Sequence, residues 1–130
     1  MKRIFFYFVL FALYLSLASC GGATGNPKKD AAAMIEEMAE AIRTADDADK
    51  LSDDICKIQV KYAKPYVDSD DKFEKYRNAI DSRTFKHAIR NATEKNMNLS
   101  KREIQEACME GFEKSEDKIS WMQDKYQKKH

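Results

Sequence analysis

Three observations on this 130-residue chain predict an all-α fold, a small antiparallel bundle of three to four helices. Beyond Pro27 only one proline, Pro65, and one glycine, Gly111, interrupt the sequence. The same stretch is rich in Ala, Glu, Lys, Met and Asp, a composition that favours helix. Apolar residues recur through it every three or four positions, and no segment reads as a strand.

The elements follow in order. Asp30 is placed to cap a first helix whose apolar face is Met34, Ile35, Met38, Ala41, Ile42 and Ala45. Thr44-Ala45-Asp46-Asp47 reads as a break, with Asp46 or Asp47 capping a second helix. Leu51, Ile55, Ile58 and Tyr62 form the stripe of that helix, which weakens at Lys64-Pro65 because proline disfavours helix at the residue before it. A linker to about Ser69 leads into Phe73, Tyr76 and Ile80. Phe85, Ala88, Ile89 and Ala92 continue this stripe on a rotated face. The slip near Asp81-Ser82 predicts either one bent helix or two short ones. Asn96 to Ser100 is a turn, and Ser100 with Glu103 fits a capping box. The last helix carries Ile104, Cys108, Gly111, Ser115, Ile119, Met122 and Tyr126 on one line, and its small centre predicts a close helix crossing.

The N-terminal stretch differs in kind. Met1-Lys2-Arg3 is positive, and Ile4 to Ala18 is apolar apart from Tyr7, Tyr14 and Ser16. Small residues and a cysteine then close the run, which is the order of a secretory signal. A membrane-spanning helix needs about 20 apolar residues, and this run is shorter. Leu17-Ala18-Ser19-Cys20 resembles the lipobox of bacterial prolipoproteins. That resemblance implies cleavage before Cys20 and a diacylglyceryl thioether on its sulfur. Each acyl methylene contributes about 0.8 kcal/mol of membrane affinity, so two or three chains anchor stably. The expected organisation is a signal peptide over 1–19, a lipidated N-terminus and flexible tether over 20–29, and a helical domain over 30–130. Nine residues of tether reach about 30 Å when extended. Gly21 stands where the inner-membrane retention signal of some Gram-negative bacteria has Asp, and no acidic run follows Cys20. The expected location is therefore the outer membrane, facing the periplasm. The layout also resembles small helical lipoproteins of Gram-negative gut anaerobes, a resemblance that implies no established activity.

Charge bounds the partners. The chain has 23 Lys and Arg against 22 Asp and Glu, and losing Lys2 and Arg3 with the signal leaves a net charge of −1. Such a chain makes no electrostatic case for nucleic acid. Interleaved charges of both signs are the pattern of a solvated helical surface.

With Cys20 assigned to lipid, Cys56 and Cys108 remain as an even pair. Outside the cytoplasm they are open to a disulfide, which adds about 4 kcal/mol under the chain-entropy model, or to two buried thiols acting as small apolar residues. His87 and His130 are the only histidines, and neither sits in a ligand-spaced motif, so no metal or other cofactor is expected. The acidic runs Asp46-Asp47-Ala48-Asp49 and Asp68-Ser69-Asp70-Asp71 fall at helix starts, where the dipole favours negative charge. No phosphate loop or nucleophile elbow is present, and an enzyme would need polar groups converging around His87. Trp121 lies about a quarter turn off the last core line and is the candidate interface residue. The function expected is non-enzymatic: a lipid-anchored envelope protein whose helices bind a protein or envelope partner. The alternatives are a periplasmic inhibitor or immunity protein and a helical periplasmic chaperone.

Overall fold

The computed structural model describes residues 23–127, and these are all-α. The stretch read from sequence as signal peptide and lipobox, Cys20 included, lies outside the described residues, as does His130. Five α-helices follow one another: α1 (Pro27–Thr44), α2 (Ala48–Ala63), α3 (Asp70–Ala79), α4 (Ser82–Lys95) and α5 (Lys101–Gln127). A single 3-10 turn over Lys64–Tyr66 joins α2 to the lead-in of α3, where Pro65 stops the α-helix.

The count is five because the segment after Ser69 is two short helices. Ile80 turns out of helix, and Asp81 restarts it by accepting from the Arg83 amide. Asp47 caps α2 and Ser69 caps α3, each through its side chain. At α5 the capping box closes in both directions, with Glu103 N–H on Ser100 Oγ at 3.1 Å and Ser100 N–H on Glu103 Oε1 at 3.2 Å. One cap differs from expectation. Asn26, not Asp30, caps α1, and its Oδ1 accepts from Lys29 N–H at 3.2 Å. Pro27 fits the first helical position because its missing N–H has no partner to lose there. The helix therefore begins four residues early, and Asp30 is left to turn inward.

Met34, Met38, Ile42, Leu51, Ile55 and Ile104 form the centre of the core, each no more than 1% exposed. Burying a side chain of this kind contributes about 1.5–3 kcal/mol. Helices α1 and α2 run antiparallel, as Gln59 Nε2 on the sulfurs of Met34 and Met38 and Lys61 on Glu37 both show. The broadest contact is α2 on α5. Gly111 makes it close: a Cβ there would fall 2.7 Å from Ile55 Cβ and 2.8 Å from the Ser52 carbonyl oxygen. The small centre of the last helix is thus where another helix crosses.

Two tie points define the ends of the bundle. At the back, Asn96 Nδ2 donates to the Ile42 and Ala45 carbonyls at 2.7 and 2.9 Å, so α4 finishes where α1 finishes. At the front, Tyr66 donates to Asp30, and Gln127 Nε2 donates to Asp70 Oδ1 at 2.8 Å. Helix α5 therefore runs from the back end to the front, in the same sense as α2. It has 27 residues against 16 in α2, so its last turns outrun their main partner. This is why Tyr126, although on the expected stripe, is 38% exposed.

Candidate functional site

Asp30 is the one carboxylate among the buried polar residues of the described chain, at 1% exposure. It sits four residues before Met34 on the face that carries Met34, Met38 and Ile42, so helical spacing aims it into the core. Four donors meet it: Thr24 N–H at 2.7 Å, Thr24 Oγ1 at 2.8 Å, Gly25 N–H at 3.0 Å and Tyr66 Oη. Burial alone would raise the pKa of this group. The bonds from Tyr66, Thr24 and Gly25 outweigh burial and hold the carboxyl below its ordinary value. Gly25 reaches the carboxylate at φ +88°, a backbone conformation that glycine adopts without strain.

Around this clasp is a tyrosine cluster. Tyr66 stacks on Tyr76 with centroids 4.7 Å apart and planes within 7°. Tyr62, Tyr66 and Tyr76 are all buried, and burial first, then the acids Glu37 and Asp30, raises their ionisation above the ordinary tyrosine range. They remain neutral donors at neutral pH. Tyr76 Oη and Glu37 Oε2 have no hydrogen-bond partner among the described residues.

The effect of the clasp is on reach. Ala23 packs against the core, and Thr24 and Gly25 are bound to Asp30. Residues 23–29, read from sequence as part of a flexible stretch, thus belong to the folded body. Three peptide steps separate Cys20 from Ala23, at most about 11 Å of chain.

The other candidate residues are placed as follows. Cys56 and Cys108 are both buried and both free thiols. Burial pushes the Cys108 thiol up to about 11, so it stays protonated at neutral pH. His87 is exposed on α4, in a surface depression shared with Ser82, Arg83, Lys86 and Arg90; its lining is basic and holds no carboxylate. A second depression lies between Asp70, Phe73, Glu74, Arg77 and Asn78 of α3 and Gln123 of α5. Among the described residues no three His, Cys, Asp or Glu side chains converge as metal ligands would. Nor is any described helix long and apolar enough to cross a membrane. Trp121 is 61% exposed, with Lys125 Nζ 4.9 Å from its ring centroid. Met97 and Met109 are exposed at 92% and 64%.

Sequence reading missed Asp30, Tyr66 and Asn96 as organising groups. For Asp30 a signal was present in its phase with Met34 and Met38. Asn96 offered none, since a turn asparagine is ordinary whether buried or solvated.

Fold and site together define an all-α domain with a polar clasp on its own N-terminal segment. The chain matches no protein-family model, no curated protein and no solved structure.

Proposed function

We propose that this chain is a non-enzymatic, lipid-anchored protein of the bacterial cell envelope, held through lipid on Cys20 in the outer membrane and facing the periplasm. The helical domain binds a macromolecular partner there. The observation that carries this reading is the spacing of two features. The lipobox Leu17-Ala18-Ser19-Cys20 ends three residues before Ala23, and the residues from Ala23 onward are fastened to the domain by packing and by Asp30. Lipid on Cys20 thus fixes one end of a folded body at the bilayer and leaves the back end outward. Met97, in the turn after α4, and Met109, early in α5, offer adaptable apolar contact toward that outward end.

The test has two readouts on the full-length chain. The mature protein has the mass of residues 20–130 plus acyl groups and fractionates with membranes, whereas Cys20→Ala stays unacylated and is released. Affinity capture from solubilised envelope recovers one stoichiometric partner, and Met97→Glu with Met109→Glu releases it. An unacylated wild-type chain defeats the anchoring. Recovery of nothing by either the wild-type or the Cys20→Ala form defeats the binding role.

A further inference from the structure

The geometry points to a membrane-docking face on the last turns of α5, in which Trp121 enters the headgroup layer and Lys118 and Lys125 meet lipid phosphates. The inference rests on the lipid anchor at Cys20.

Position comes first. The front end of the bundle holds both the exit of the N-terminal chain and the end of α5. Thr24 is bonded to Asp30, Asp30 to Tyr66, and Asp70, four residues beyond Tyr66, to Gln127. Trp121 lies six residues before Gln127, about 9 Å along the helix axis. With at most about 11 Å of chain between Ala23 and the lipidated sulfur residue, this end cannot stand clear of the bilayer. Something at the front must therefore face lipid.

Chemistry comes second. Trp121 is the only tryptophan in the chain and the most exposed aromatic side chain of the described part. An indole with an apolar body and one N–H donor suits the membrane–water boundary. Lys118 and Lys125 lie one helical turn to either side of it, both exposed and neither in an ion pair among the described residues. Lys125 rests over the indole ring, within reach of whatever the ring enters. Long lysine stems lie along an apolar boundary while their ammonium groups reach phosphate oxygens.

The same end also carries acids. Asp117 and Asp124 flank Trp121 on the side away from the two lysines, so attraction to phosphate is confined to the lysine side. Of the acids opening α3, Asp68 and Asp71 are bridged to Lys72 and Lys75, and Asp70 accepts from Gln127. The occupant assigned is the phosphate-bearing bilayer that holds the anchor. A second copy of the chain is the rival.

The sole tryptophan makes the test direct. The full-length chain is expressed so that processing takes its own course. It is then reconstituted in vesicles of phosphatidylethanolamine and phosphatidylglycerol, with brominated acyl chains in one arm. Mass spectrometry of the same sample reports lipid on Cys20 independently of the fluorescence. The expected result is emission shifted to shorter wavelength and quenched by the brominated lipid. Lys118→Gln with Lys125→Gln lowers the ratio of docked to free domain about fivefold per lysine without detaching the anchor. An acylated chain whose Trp121 keeps a water-exposed spectrum and escapes the bromines overturns the docking face. So does a spectral shift that grows with protein concentration and ignores the bromines, which assigns the face to a second copy. A chain without lipid overturns the anchoring reading instead, and removes the tether constraint on which the docking face depends.

Discussion

At the front of α1, Asp30 accepts hydrogen bonds from two backbone amides and two hydroxyls. At the back, Asn96 donates to two backbone carbonyls of α1 and its exit, while its own Oδ1 accepts from the Asn98 and Leu99 amides at 2.8 and 2.7 Å. Each end of the helix is held by one buried polar side chain: at the front it binds amides of the chain that leads into α1, and at the back carbonyls of the last turn and the exit. The difference is charge. The amide of Asn96 serves donors and acceptors together and does not titrate. The carboxylate of Asp30 makes stronger, charge-assisted bonds, and makes them only while ionised. The back end is an unconditional fastening and the front a conditional one.

The largest test falls on the back. Asn96→Ala leaves the Ile42 and Ala45 carbonyls and two turn amides without their partner. It is expected to cost about 3 kcal/mol, read as a lower urea midpoint at unchanged slope. A loss under half of that would mean that water replaces the amide easily, and the two ends would no longer differ in the way argued. Asp30→Asn comes next, at about 1–2 kcal/mol at neutral pH, because it keeps the shape and removes the charge. Its pH dependence sharpens the contrast. The folded-state pKa of Asp30 lies below the unfolded value of 3.8, so its contribution is complete above that value and is lost as pH falls through the folded pKa. The gap between wild type and Asp30→Asn should therefore close on acidification, while the gap between wild type and Asn96→Ala stays level over the same range. The smallest effect belongs to the middle. Gly111→Ala gains about 1 kcal/mol of helix propensity and loses more to overpacking against Ile55 and the Ser52 carbonyl, for a net cost of about 1 kcal/mol. Hydrogen exchange should show this loss spread over α2 and α5, with neither end of α1 singled out.

What could be read from sequence followed from what each side chain does alone or along its own helix. The stripe Leu51, Ile55, Ile58 and the capping box of Ser100 and Glu103 are local, and local periodicity and hydrogen bonding determine them. The small centre at Gly111 was legible because lack of volume is itself a local property, although only the structure shows that Ile55 and Ser52 fill the space. Asp30 was assigned to capping because an aspartate before an alanine run is a strong helix start. Asn26 and Pro27 competed for that role and took it, since together they satisfy the first turn and fix φ at its opening. Asn96 depends on partners more than 50 residues away, and no pattern within its own turn records them. Trp121 lies off the core line by its helical phase and is exposed. Which end of the molecule it occupies follows from the course of α5, set by contacts at its two extremes.

The clasp at Asp30 also decides how the domain carries mechanical load. A pull on the N-terminal chain does not arrive at Pro27 and peel α1 open turn by turn. It enters through the Thr24 and Gly25 amides, passes to Asp30 in the first turn, and is shared through Tyr66 with the segment that joins α2 to α3. Several bonds are then strained side by side, an arrangement that resists force better than the same bonds broken in sequence.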